Sequence, residues 1–136
     1  MEKYGFVQKT ANCPSGSLNY VESNESSNKP ETILLIHGIS ANWRDWGSSM
    51  LNEISMLGYR TIAIDRPGMG GSDRRPEVLS LGDQANLIME IIRLVNSNPL
   101  LIMGHSYGGS LALKMALTHQ KDISGLILLA TPTHPW

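Results

Sequence analysis

One cysteine is all that this chain of 136 residues carries. Cys13 has no internal disulfide partner, which excludes a disulfide-stapled scaffold and points to a reducing, cytoplasmic setting. Charge of one sign is also missing. Eleven Lys and Arg face twelve Asp and Glu, for a net charge of −1. No basic stripe for nucleic acid and no acidic tail follow from that balance. No apolar run approaches the ~20 residues of a membrane span. The opening Met1-Glu2-Lys3-Tyr4-Gly5 lacks the apolar core of a signal peptide. The histidines, His37, His105, His119 and His134, do not have metal-ligand spacing, so no metal is expected. There is no internal repeat and no low-complexity segment. One domain over residues 1–136 is the natural reading of this length.

What is present is an alternation of strand and helix signals. Tyr4–Thr10 and Ser17–Ser23 read as short strands around Pro14-Ser15-Gly16. Thr32–Ile36 is a continuous apolar run, the mark of a strand covered on both faces. Trp43–Leu57 has a helical apolar face through Trp46, Met50, Ile54 and Leu57, with Gly58 as its stop. Tyr59–Ile64 is the next strand. Ser80 caps a helix whose apolar side is Ala85, Ile88, Ile91, Ile92 and Val95. Pro99–Met103 is a strand, Tyr107–Thr118 a helix apolar nearly all round and expected to be buried, and Ile123–Ala130 a last strand. The fold class is α/β, a mostly parallel sheet with helices on both faces. Function is then expected at the carboxyl ends of the strands.

The richest signal lies at one of those ends. Gly104-His105-Ser106-Tyr107-Gly108 stands between a strand and a helix, the context in which G-x-S-x-G forms a nucleophile elbow. So sharp a turn strains the backbone at Ser106 and brings strand close to helix, so side chains at 104 and 108 would clash. The helix dipole favours an anion developing at the exposed hydroxyl. Two phosphate-binding readings fail. Gly104 to Gly109 spaces its glycines as a P-loop does, but Ser110 and Leu111 follow where Lys and Ser/Thr are needed. Gly68-Met69-Gly70 has Asp73 where a dinucleotide fingerprint needs its third glycine. No cofactor is expected.

Three motifs in order, His37-Gly38 after one strand, Asp65-Arg66-Pro67-Gly68-Met69-Gly70-Gly71-Ser72 after the next, and Gly104-His105-Ser106-Tyr107-Gly108-Gly109 after the third, resemble the α/β-hydrolase superfamily. The resemblance runs from about Tyr4 to Trp136. It implies Ser106 as nucleophile and an oxyanion hole from the backbone N–H groups of Ile39 and Tyr107. It implies that Thr133-His134-Pro135-Trp136 enters a lid. The family's acid follows the sixth or seventh strand and its histidine the eighth, and neither has a matching position here. The chain is therefore expected to stop after about the sixth strand, as the N-terminal half of a hydrolase.

The remaining candidates are assigned on local grounds. His37 is expected to orient the loop bearing Ile39, held by neighbouring backbone groups. His105 should point away from Ser106 and pack. His134 is the local candidate for a base, since its loop neighbours the elbow strand. Asp65 lies on a strand two removed from the elbow strand and should tie its own glycine turn together. Arg66 and Asp73 read as loop or surface charges. Trp43, Trp46 and Met50 read as core rather than an acyl pocket. His119 complements a helix dipole.

The expected chemistry is attack of Ser106 on an ester, amide or thioester carbonyl of a small molecule, then hydrolysis of the acyl-enzyme. Serine rather than aspartate at 106 argues against epoxide-hydrolase or dehalogenase attack. The alternative is a non-catalytic half-domain that pairs with another chain. The stretch 123–130 carries no charge or proline, so as an open edge it would favour self-association or a complementary chain.

Overall fold

The computed structural model describes residues 5–23, 27–39, 41–74 and 79–132. Strands β1 (Phe6–Cys13) and β2 (Gly16–Ser23) form an antiparallel hairpin through Pro14-Ser15. The first strand runs further than the sequence indicates because its pairing continues to Cys13 opposite Gly16. Tyr4 lies outside the described residues. β2 pairs antiparallel with β4 (Arg60–Ile64). β3 (Thr32–Ile36) sits between β4 and β5 (Leu100–His105), parallel to both, and β6 (Ile123–Leu129) runs parallel to β5. The six-stranded order is β1-β2-β4-β3-β5-β6, with β6 at one edge among the described residues.

Both faces of this sheet are covered, and β3 is buried at every position. Side chains alternate across a strand. Leu34 and Ile36 pack on one face with α2 (Leu81–Val95) and α3 (Tyr107–Thr118). Ile33 and Leu35 pack on the other with Trp43, Trp46, Leu51 and Ile54. Ser80 caps α2 as expected, its Oγ accepting from Asp83 N–H at 3.0 Å. Such a cap stabilises a helix by about 1 kcal/mol.

Two helix expectations are corrected. Trp43–Leu57 is not one helix. A 3-10 turn over Trp43–Trp46, capped by Asn42, hands over to α1 (Gly47–Met56). Gly47 sits at φ 73°, a conformation that interrupts a helix and that glycine takes without strain. The second concerns α3. It buries Gly108, Gly109, Leu111, Ala112 and Met115, but Leu117 is 61% exposed, so only one side is covered. No helix among the described residues is long and apolar enough to cross a membrane.

The hairpin is locked to the parallel part of the sheet by a buried acid. Glu22 on β2 pairs with Lys9 on β1 and with Arg60 on β4. Burial alone would raise its pKa, but the hydrogen bonds from Lys9 and Arg60 outweigh burial and leave it below its ordinary value of 4.5. Because the folded value is the lower one, this pairing stabilises the chain above about pH 4.5 and is lost as pH falls below it. Thermal melts from pH 7 to pH 3 should therefore show a drop that Glu22→Gln flattens. An identical slope in the variant would rule Glu22 out as its source.

Candidate active site

β3, β4 and β5 end together. Ile36 is in register with Ile64 on one side and with Gly104 on the other, so the loops that begin at His37, Asp65 and His105 emerge side by side. Every motif from the sequence thus arrives at one end of the sheet.

Ser106 joins β5 to α3 at φ 54°, ψ −120°. Among the described residues only Ala130 shares a positive φ without being glycine. A residue held there stores about 1–3 kcal/mol of strain. The surroundings leave it no alternative. Ser106 N–H donates to Leu129 O at 2.9 Å, and its carbonyl accepts from Gly109 N–H at 2.9 Å. A β-carbon on Gly104 would meet Gly109 Cα at 2.6 Å. One on Gly108 would overlap the Ile36 carbonyl, and one on Gly109 would overlap the Thr131 side chain. On Gly38 a β-carbon would lie 3.5 Å from both Ser106 Cβ and His105 O, which places the His37-Gly38 loop directly against the serine.

The histidines separate into different environments. His37 is 1% exposed. Its Nε2 accepts from Arg66 N–H at 2.9 Å, so the proton sits on Nδ1, which donates to Gly38 O at 2.8 Å. Burial first, and the Arg66 charge after it, hold its pKa below the usual histidine value. It is neutral at physiological pH and held by backbone groups. His105 is exposed and meets Trp46 edge-on, with ring centroids 6.4 Å apart. With His37, Asp45, Trp46, Met50 and Leu129 it lines a cavity of about 210 Å³. Trp43 is wholly core, whereas Trp46 and Met50 serve both the core and that cavity. His119 follows α3 and bonds Asn86 Oδ1 at 2.9 Å. His134 lies outside the described residues. Among those described, no side chain is hydrogen-bonded to Ser106 Oγ.

Asp65 organises the second loop. Its carboxylate accepts from Gly71 N–H at 2.8 Å, from Asn19 Nδ2 at 2.8 Å and from Trp43 N–H at 2.9 Å. It ties its glycine turn, as the sequence indicates, and also fastens the turn before α1. β4 is two strands from β5, so this acid does not reach Ser106 directly.

Arg66 overturns its reading as a surface charge. It is 3% exposed. Its Nη2 donates to Gly38 O at 3.1 Å and its Nη1 meets Gln84 Oε1 at 3.5 Å. The guanidinium lies 4.5 Å from the centroid of the Tyr107 ring, a cation–π contact. Burial lowers its pKa, against which Tyr107 acts. Gln84 completes the group, donating to Tyr107 Oη at 3.1 Å and to Leu79 O at 3.2 Å. The sequence reading missed both residues. The signal for Arg66 lay in the register, since parallel strands that end together put residue 66 beside residue 38. Asp73 is exposed, as expected. Beside this group opens a cavity of about 380 Å³, lined by Ile39, Tyr107, Arg66, Met69, Leu79 and Leu87 among others.

A model of the family described as alpha/beta hydrolase fold matches residues 31–136. This chain belongs to the α/β-hydrolase fold family. Epoxide hydrolase 3 of Xenopus tropicalis is 36% identical to this α/β-hydrolase over 119 residues, which are 86% of the chain and 31% of that protein. An epoxide hydrolase from an endophytic Streptomyces superposes with a TM-score of 0.85 at 26% identity, over 98% of this chain and 39% of that one. The thioesterase domain from the curacin biosynthetic pathway gives 0.81 at 27%, over 96% and 48%. The chain thus spans about a fifth to a third of the length of the curated relatives it matches. Its likeness is to hydrolases.

Proposed function

We propose that this α/β-hydrolase is a serine acyl hydrolase, in which Ser106 attacks the carbonyl of a small ester, amide or thioester. The observation that carries this is the strained Ser106 turn at the mouth of β5. Strain is stored where a side chain must be held out for use. The amides of Ile39 and Tyr107 serve as the oxyanion donors. Support comes from the contact of Gly38 with Ser106, and from the cavity that the Ile39 and Tyr107 side chains share. One such donor is worth about 2.7–4 kcal/mol in a transition state. The base and acid of the reaction are not assigned to any described residue.

The named relatives include epoxide hydrolases, and those enzymes use an aspartate nucleophile. A carboxylate opens an epoxide to give an enzyme ester that water can cleave. A serine there would give an ether, which water does not cleave at neutral pH. Serine suits acyl transfer, where its ester is the hydrolysable intermediate. A fluorophosphonate probe tests this on the full-length protein. The adduct is expected on the peptide containing Ser106 and absent from Ser106→Ala. No adduct would favour a non-catalytic, partner-binding role. Styrene oxide hydrolysis that survives Ser106→Ala would favour the relatives' substrate class.

A further inference from the structure

Among the described residues Arg66 is a buried cation without an acid. Among the described residues no carboxylate lies within ion-pair distance of its guanidinium, and its Nε has no hydrogen-bond partner. Its neighbour Asp65 is committed to Gly71, Asn19 and Trp43. An arginine kept only for stability is normally paired or solvated. What this one holds instead is the Gly38 carbonyl, at 3.1 Å, together with the face of the Tyr107 ring. His37 Nδ1 donates to the same carbonyl at 2.8 Å, and the backbone N–H of Arg66 fixes that ring from behind at 2.9 Å.

The consequence follows from peptide geometry. Gly38 C=O and Ile39 N–H belong to one planar trans unit, so they point in opposite directions. Two donors that pin the carbonyl thereby pin the amide. A carbonyl that accepts from a cation also polarises its peptide and makes the N–H a better donor. We propose that Arg66 is a positioning residue for oxyanion stabilisation: it sets the direction of the Ile39 amide through the Gly38 carbonyl and holds the Tyr107 side chain in fixed relation to it. This rests on the acyl-hydrolase reading above for its catalytic meaning. Arg66 acts through the peptide and touches no reacting atom.

The test uses the full-length protein with Arg66→Met, which keeps length and burial but removes donors and charge, and Arg66→Lys, which restores the charge and a donating ammonium without the planar fork. With a p-nitrophenyl ester, Arg66→Met is expected to lower kcat about 10- to 100-fold with KM nearly unchanged, less than the ~100- to 1000-fold of deleting a donor outright. Arg66→Lys should recover part of kcat. A raised KM at constant kcat would overturn the proposal and make Arg66 a substrate-binding group. So would a loss that Lys does not relieve. An independent readout needs no turnover: the 15N–1H signal of the Ile39 amide should move in Arg66→Met. An unmoved signal overturns the clamp whatever Ser106 does. Arg66→Gln takes the place of Met if that variant does not fold. Absence of phosphonate at Ser106 in the wild type would sink the acyl-hydrolase reading alone, and the amide signal would still judge the clamp.

Discussion

Alanine at position 108 is expected to cost the fold about 3–5 kcal/mol, at the upper end of single-residue effects. A methyl group there would overlap the Ile36 carbonyl and approach its carbon at 2.7 Å. Both are backbone atoms of the central strand β3, paired on either side to β4 and β5. No rotamer change relieves such a clash, so α3 must lift from the sheet or β3 must break its ladder. Gly38→Ala is the matched control. Its β-carbon would meet neighbours at 3.5 Å, an ordinary contact, and should cost little. Thermal or urea denaturation of both variants compares them directly. Equal midpoints would show that α3 does not bear on β3 as closely as described.

The second large effect concerns catalysis by these 136 residues on their own. Among the described residues nothing is hydrogen-bonded to Ser106 Oγ, so none of them is placed to activate it as a base. A serine site without its partners keeps only the ~10³- to 10⁴-fold over water that binding and the oxyanion hole provide. Hydrolysis of p-nitrophenyl acetate by this chain should stay within that range, far below the ~1–10³ s⁻¹ of ordinary enzymes. Ser106→Ala provides the blank. Enzyme-like turnover that the alanine variant abolishes would contradict this and would make His134 the next residue to replace.

Much of this architecture was legible because it rests on local patterns. The unbroken apolar run Thr32–Ile36 announced a strand covered on both faces, and both faces are covered. Gly104 and Gly108 announced a close approach of strand to helix that their contacts bear out. The break at Gly47 was not legible, because the apolar spacing of Trp46, Met50 and Ile54 continues across it. Arg66 was not legible either. Charge predicts exposure, and its burial depends on Gly38, Gln84 and Tyr107, which come from three other elements. Contacts between segments far apart in sequence leave no periodicity in any of them.

The seating of Gly108 on the Ile36 carbonyl has a consequence for how such a site can change over time. Strand end, elbow and first helical turn form a floor that tolerates almost no added atom. The 380 Å³ cavity above it is walled in part by Ile39, Met69 and Leu79, none of them fully buried. Side chains that bury little contribute little to stability. Substitutions at those rim positions can therefore reshape the cavity while the fold's free energy stays nearly constant. The shape of the cavity is free to drift, and the geometry beneath it is not.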